Sequence, residues 1–154
     1  MRPLMARFLE WMRVRNYTPR TVTTYEKALA RFAEWTEVRE IRRPTEVDRT
    51  LVEKYQKHLF YRRKANGKPL SRSSQFGLLA PVRTYFKWLA RQRLIAVNPA
   101  VDLELPRRET TLPPMVLTPS QAESILAQPD VETRLGIRDR TMLEVLYSTG
   151  MRRA

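Results

Sequence analysis

Residues 18–35 read TPRTVTTYEKALARFAEW. The large apolar residues of this segment recur at spacings of three and four, which is the period of an α-helix with one buried face. They are Val22, Tyr25, Leu29 and Phe32. Thr18 and Pro19 favour a helix start, because the hydroxyl can cap a free backbone N–H and proline needs no hydrogen bond in the first turn. The segment therefore predicts a helix that packs an aromatic stripe into a core.

The same helical period recurs along the chain, and no segment alternates apolar and polar residues convincingly enough for a strand. One helix precedes residues 18–35. A third starts after Asp48 as N-cap, and a fourth runs from about Ser71 to Gln92. Their apolar faces are Leu4, Phe8, Trp11 and Met12 in the first helix, Leu51, Tyr55 and Leu59 in the third, and Leu78, Val82, Tyr85 and Leu89 in the fourth. We predict an all-α protein built on a four-helix bundle.

Two interruptions mark this bundle. Asn66-Gly67 with Pro69 predicts a turn between the third and fourth helices. Pro81 lies inside the fourth helix, where its ring clashes with the carbonyl of Gly77 and one hydrogen bond is lost. A kink, or two helices meeting at Pro81, is therefore expected.

Prolines divide the chain into two parts. Asn98-Pro99 and Leu105-Pro106 end the helical pattern, and residues 106–117 are predicted to be an extended linker. A capping box formed by Thr118 and Gln121 opens a second part, whose last helix spans roughly 136–149 and stops at Gly150. We predict a first domain over 1–105 and the incomplete start of another over 118–154, because 37 residues are too few to bury a core.

Charge is strongly asymmetric along the chain. The protein has 29 Lys and Arg against 16 Asp and Glu, a net charge of +13. Residues 1–117 carry 24 basic and 11 acidic side chains, whereas residues 118–154 carry five of each. Residues 54–101 contain 11 Lys and Arg and no acidic residue. This excess indicates a polyanionic partner, nucleic acid above all and an anionic membrane surface less readily.

Composition excludes several kinds of chemistry. Cysteine is absent and His58 is the single histidine, so a disulfide framework, a thiol nucleophile or a Cys- or His-ligated metal site is not expected. No cofactor is predicted. The longest uncharged stretch, residues 110–122, is 13 residues long and contains three prolines, too short to cross a bilayer. We expect a soluble, cytoplasmic protein without membrane attachment.

Several short motifs, taken in order, resemble the tyrosine recombinase (phage integrase, Xer-type) family over essentially the whole chain. They are Tyr17-Thr18-Pro19-Arg20-Thr21 with Tyr25, Arg83-Thr84-Tyr85-Phe86-Lys87-Trp88-Leu89, Asn98-Pro99-Ala100, Leu105-Pro106-Arg107, Leu117-Thr118, Arg138-Asp139-Arg140 and Leu146-Tyr147-Ser148-Thr149-Gly150-Met151-Arg152. The last is the most specific, and each of the others alone is weak.

The resemblance implies that residues 1–105 form a core-binding, SAM-like helical bundle, one half of a clamp around DNA. Residues 118–154 correspond to the first helices of the catalytic domain. Arg152 follows the small-Gly-hydrophobic turn and takes the family's role of contacting the scissile phosphate, where a guanidinium can hold two oxygens. Arg153 stands where the family tends to be apolar, so the role is not assigned to it. The family's lysine, second arginine with nearby histidines and nucleophilic tyrosine are expected further along, so neither His58 nor Tyr147 is assigned these roles. We expect these to be a surface residue and a helix-packing residue.

By the same resemblance the complete enzyme performs site-specific strand exchange without metal or ATP, through a 3′-phosphotyrosine that a 5′-hydroxyl reverses. Its partners are double-stranded DNA and other recombinase protomers in a synaptic complex. The 154 residues alone are expected to bind DNA without cutting it. A stand-alone DNA-binding protein that occupies recombination sites is the alternative, and an RNA-binding or membrane-surface module is a third.

Candidate DNA contacts are basic and hydroxyl residues at two helix starts, in the loop between the third and fourth helices, along the fourth helix and in the linker, because helix N-termini and cations attract phosphate. They are Arg20, Thr21, Thr24, Arg62, Arg63, Lys64, Lys68, Arg72, Ser73, Ser74, Gln75, Arg83, Lys87, Arg107 and Arg108. Gln75 and Arg72 are predicted to read base edges, since their forked side chains can pair with adenine and guanine.

Overall fold

The computed structural model describes residues 1–107 and 116–151. Its helices are α1 (Arg2–Val14), α2 (Pro19–Glu37), α3 (Arg49–Tyr61), α4 (Arg72–Arg91), α5 (Pro119–Leu126) and α6 (Arg134–Thr149). A 3₁₀ turn at Pro44–Glu46, which the sequence analysis did not predict, precedes α3. Since the described residues form no strand beyond one isolated bridge between Arg63 and Pro69, the all-α prediction is confirmed.

The chain divides into two compact units, Met1–Glu109 and Thr110–Ala154. The boundary falls inside the segment predicted as a linker. None of the helices in the described ranges is long and apolar enough to cross a membrane.

The helix starts follow the predicted capping chemistry. The Thr18 hydroxyl accepts a hydrogen bond from the backbone N–H of Thr21 at 3.3 Å, and α2 begins at the next residue, Pro19. The Asp48 carboxylate accepts from the N–H of Leu51 at 2.7 Å, which starts α3. Both caps satisfy N–H groups that have no partner inside the helix.

Aromatic residues from four helices form the core of the first unit. The Phe32 ring on α2 packs edge-on against Tyr55 of α3 at 4.9 Å and against Phe86 of α4 at 5.9 Å between centroids. Phe8 of α1 packs against Tyr85 at 5.6 Å. All five rings are buried, so they join α1, α2, α3 and α4 into the predicted bundle.

The buried face of α1 is rotated from the predicted one. Phe8 and Met12 are buried as expected, but Met5 and Leu9 are buried with them, while Leu4 and Trp11 are only partly covered. The buried face of α1 is therefore broader than the spacing of its apolar residues predicted.

The segment after α4 closes the core, which the sequence analysis missed. Ile95, Ala100 and Leu103 are buried in it. Arg49 donates to Asp102 at 3.1 Å, and the Gln56 amide donates to the carbonyl of Glu104 at 2.8 Å. Residues 95–104 are therefore held against α3.

Helix α4 continues across Pro81, so the expectation of two helices meeting there is wrong. Leu79 and Val82 on either side of the proline are fully buried in the same core. Packing on both sides holds the helix together although the proline provides no N–H for the Gly77 carbonyl.

The second unit has the predicted local structure. Thr118 and Gln121 form the capping box, with bonds of 2.9 and 3.3 Å between each backbone N–H and the other side chain. Helix α6 starts two residues before the predicted position and ends at Gly150, whose φ of 63° suits glycine. Among residues 116–151 only Ala122 and Gly136 are buried.

Candidate nucleic-acid interface

The start of α2 presents one cation and two hydroxyls. Arg20 is exposed. The Thr21 hydroxyl lies 2.8 Å from that of Thr18, and the Thr24 hydroxyl donates to the carbonyl of Arg20 at 2.8 Å. The hydroxyl of Thr24 already donates its hydrogen bond within α2. Arg20 is therefore the group at the start of α2 that is best suited to bind a phosphate.

The connection between α3 and α4 is a tight turn that exposes four cations. The N–H of Lys64 donates to the Lys68 carbonyl and the N–H of Gly67 to the Lys64 carbonyl, each at 2.9 Å. Gly67 has φ of 73°, which confirms the predicted turn. Because these bonds join backbone atoms, the turn does not depend on the side chains of its cations. The exposed cations are Arg62, Arg63, Lys64 and Lys68.

The start of α4 is arranged differently from the prediction. Arg72 and Ser73 are exposed, whereas the Ser74 hydroxyl lies 2.8 Å from that of Ser71 in the helix cap. Gln75 is only 8% exposed, and its amide donates to the carbonyl of Leu70 at 3.0 Å. The expected base-edge contact from Gln75 conflicts with this geometry, because its amide N–H points back to its own chain.

One groove joins the start of α2 to the second half of α4. Trp11, at the end of α1, lies 6.3 Å from both Tyr17 and Trp88 between ring centroids. Tyr17 lines this groove together with Lys87 and Arg91. The start of α2 is therefore next to the later turns of α4, where Arg83, Lys87 and Arg91 follow at intervals of four on the exposed face.

The start of α4 belongs to another region of the same unit. Arg72 lines a second groove with Gln56 and Lys57 of α3 and with Arg107. Since α4 has 20 residues, its two ends lie about 30 Å apart. The structure thus distributes the predicted contacts of α4 over the length of the helix instead of gathering them at its start.

Helix α2 carries a row of cations that sequence analysis did not single out. Arg20, Lys27 and Arg31 are exposed and are spaced seven and four residues apart, on one face. Arg31 lines a third cavity with Arg62 and His58 at the end of α3. The helical spacing that identified the buried stripe of α2 could also have identified this row on the opposite side.

The candidate DNA-binding cations differ from other arginines of the chain in their ion pairing. Arg2 pairs with Glu37 at 2.7 Å, Arg13 with Glu10 at 3.1 Å and Arg49 with Glu53 at 2.9 Å. Within the described parts of the chain, by contrast, no ion pair involves Arg20, Arg62, Arg63, Lys64, Lys68, Arg83, Lys87 or Arg107. These side chains can meet a phosphate without first breaking a bond to a carboxylate.

The remaining candidates are placed as follows. His58 is an exposed helix residue, as predicted, and its pKa is lowered by desolvation and by the neighbouring Arg62 and Arg39. Tyr147, expected to pack in its helix, is instead 62% exposed. Arg108 and Arg152 lie outside the described residues, as does Arg153. Residues 1–107 and 116–151 contain no group of three or more acidic or histidine side chains that could hold a metal ion.

Comparison with known proteins agrees with the motif order. Residues 4–96 match the family described as phage integrase, N-terminal SAM-like domain. The chain is 48% identical over 149 residues to tyrosine recombinase XerC 2 of Ralstonia nicotianae, an alignment covering 97% of this chain and 43% of that protein. It is 33% identical over 158 residues to tyrosine recombinase XerC of Pelobacter propionicus, covering 99% and 50%.

Tyrosine recombinase XerD of Pseudomonas putida is 32% identical over 152 residues, with 97% of this chain and 48% of that protein covered. The chain spans about half the length of the curated relatives it matches. Since a family match covers residues 4–96 and the aligned relatives are all tyrosine recombinases, the chain belongs to the tyrosine recombinase (phage integrase) family and carries its N-terminal SAM-like domain.

Proposed function

We propose that these residues bind duplex DNA and form the DNA-holding part of a site-specific tyrosine recombinase. One observation carries the proposal: exposed cations that form no ion pair within residues 1–107 and 116–151 extend from the groove beside α4, along α2, to the α3–α4 turn. A surface that only needed solvation would mix both signs, whereas the α3–α4 turn and α4, which lie within residues 54–101, contribute no acidic side chain to it.

The dimensions of this surface suit a DNA backbone. Arg20 and Arg31 are 11 residues apart on α2, or about 17 Å along the helix axis. The major groove of B-DNA is about 12 Å wide, so the two ends of this row can reach phosphates on its opposite edges. The α3–α4 turn and Arg72 add contacts beyond one edge, and Arg83 with Lys87 adds them beyond the other. Phosphate contacts of this kind position the protein and supply most of its affinity.

In this proposal the reaction is strand exchange carried out by a longer recombinase. A tyrosine oxygen from residues outside these 154 attacks the scissile phosphate and releases a 5′-hydroxyl. The partner strand's 5′-hydroxyl then attacks the 3′-phosphotyrosine and releases the tyrosine. Arg152 contributes a guanidinium that stabilises the charge developing on the phosphate oxygens. Further protomers assemble on the paired sites.

Salt dependence of duplex binding tests the proposal. If about five phosphates are neutralised, log K should fall with log salt with a slope of roughly −4 to −5. Affinity that does not change between low and high salt would contradict the proposal.

Arg107 and Arg108 provide a second test within the same assay. Arg107 is exposed beside Arg72 in one groove, so we propose a phosphate contact rather than base reading. Replacing both arginines with alanine should weaken binding to all duplex sequences alike. A loss confined to one sequence would show that the pair reads bases.

A further inference from the structure

The groove between the end of α1, the start of α2 and the later turns of α4 has a composition of its own. Its volume is about 330 Å³, within the ~300–1,000 Å³ typical of small-ligand sites. Arg15, Lys87 and Arg91 are exposed around it, and no carboxylate is among its lining residues. The floor is aromatic, with Trp11 and Trp88 6.3 Å apart between centroids.

Backbone hydrogen bonds fix the positions of two residues at this groove. The N–H of Tyr17 donates to the Met12 carbonyl at 3.2 Å, and the N–H of Asn16 donates to Arg13 at 2.9 Å. Asn16 has φ of 58°, a conformation that asparagine tolerates. The Arg15 guanidinium lies 5.2 Å from the centre of the Trp11 ring, a cation–π distance. Arg15 and Tyr17 are thus held at the groove before any ligand arrives.

We propose that this groove binds one phosphodiester of the DNA backbone together with its deoxyribose. The binding residues are Arg15, Tyr17, Lys87 and Arg91. The inference rests on the proposed function and deepens it. Lys87, Arg91 and Arg15 surround the phosphate oxygens, while the ring of Tyr17, 43% exposed, packs on the sugar. Neither contact depends on the base, so the groove sets the position of the duplex and not its sequence.

The arrangement favours a backbone phosphate over a free one. The three cations are exposed around the rim rather than enclosed, so a small ion would keep much of its hydration and gain little. A phosphate that is already part of a bound duplex gains all three contacts without a separate loss of translational freedom. The N-terminus of α2, capped by Thr18, adds the positive end of its dipole at the same place.

The test compares two double variants that remove the same charge. Lys87→Ala with Arg91→Ala should weaken duplex binding about tenfold or more at low salt and make the salt slope less negative by about 0.9, the value for one phosphate. Arg2→Ala with Arg13→Ala, which changes arginines paired to Glu37 and Glu10, should leave the slope unchanged. Equal effects of both variants would overturn the groove as a phosphate site and leave the proposed function standing. Absence of duplex binding by the unaltered chain would instead overturn the proposed function.

Tyr17 supplies a second, uncharged readout. Tyr17→Phe should bind as the unaltered chain does, because the sugar meets the ring face, whereas Tyr17→Ala should bind several-fold more weakly at the same salt slope. Equal binding by all three would overturn the sugar contact. If Lys87→Ala with Arg91→Ala fails to fold, judged by circular dichroism, Lys87→Gln with Arg91→Gln gives the same charge change with longer side chains.

Two further arms identify the source of the phosphate. Inorganic phosphate at millimolar concentration and constant ionic strength should leave tryptophan fluorescence unchanged, while duplex DNA changes it. Vesicles of anionic phospholipid should bind the Lys87 and Arg91 variant as they bind the unaltered chain. Tight binding of free phosphate, or a loss confined to vesicles, would contradict the assignment to DNA.

Discussion

The Gln75 amide donates a hydrogen bond to the carbonyl oxygen of Leu70 across 3.0 Å. The donor lies in the first turn of α4 and the acceptor just outside the helix, next to the Ser71 cap. This bond fixes the path by which the chain enters α4, so Gln75 acts on the stability of the helix start.

Gln75→Ala should therefore lower the free energy of unfolding by about 1–2 kcal/mol, since the half-buried carbonyl of Leu70 loses its donor. Urea denaturation measures this loss. Selection of binding sites from random duplexes should show unchanged base preference. Ser73→Ala, which alters an exposed neighbour, is the control and should leave stability within about 0.5 kcal/mol. A base preference relaxed at one position would restore Gln75 as a base reader.

Two positive charges can be removed from the α3–α4 turn without disturbing its backbone. Lys64→Ala with Lys68→Ala leaves the turn intact, because the hydrogen bonds there involve backbone atoms. If each lysine contacts a phosphate, the salt slope should become less negative by about 1.8. Filter binding of a duplex over a range of salt measures it.

Arg138→Ala with Arg140→Ala removes the same charge from residues paired with Asp139 and Glu144. This control should leave the slope as it was. A similar change in both double variants would mean that net charge, and not contact, sets the affinity.

Alkaline pH should destabilise the fold through Tyr55. Burial raises the pKa of Tyr55 from 10.0 to about 12, so the unfolded chain releases this proton at a lower pH than the folded chain. Stability contributed by the neutral phenol is complete below pH 10 and is lost as pH rises to about 12, a change of roughly 2–3 kcal/mol. Denaturant unfolding at pH 8 and pH 11 should show about half of this loss, because pH 11 lies midway between the two pKa values.

Tyr55→Phe provides the matched variant for this pH dependence. The Tyr55 hydroxyl finds no hydrogen-bond partner within the described residues, so its removal should cost little at pH 8. The variant should lose less stability than the unaltered chain at pH 11. Burial also raises the pKa of Tyr85, which leaves part of the alkaline effect in place. Identical losses in both proteins would contradict the role of Tyr55.

Phe32 joins three helices, and its truncation should be costly. Its ring is fully buried against Tyr55 and Phe86. Phe32→Ala should reduce the free energy of unfolding by about 3–5 kcal/mol, through lost burial and the cavity that remains. Val38→Ala, at an exposed site after α2, should change it by less than about 0.5 kcal/mol. Thermal and urea unfolding of both variants measure the difference.

Arg152 is predicted to act in chemistry rather than in binding. In a full-length recombinase carrying this sequence, Arg152→Ala should lower strand cleavage by roughly 10²–10³ while duplex affinity stays nearly intact. Arg153→Ala should do much less. Single-turnover cleavage of a nicked suicide substrate measures both. A larger defect for Arg153 would move the catalytic position by one residue.

Local chemistry could be predicted from the order of residues. The caps at Thr18, Asp48 and Thr118, the turn at Gly67 and the stop at Gly150 each depend on a few neighbouring residues, and all are present. Helical periodicity likewise identified the buried stripe of α2, because residues three and four apart share a face whatever packs on it.

The continuity of α4 and the orientation of Gln75 depend on long-range packing, which the spacing of residues in the sequence does not predict. Whether α4 continues through Pro81 depends on the core that holds both of its halves, and whether Gln75 faces DNA or Leu70 depends on what covers the helix start. Arg15 and Arg91 are 76 residues apart in sequence and line one groove because α1 and α4 pack around Phe8 and Trp88, 5.4 Å apart. No local periodic signal indicates that such distant residues share a groove, since the groove exists only after the bundle has buried its aromatic residues.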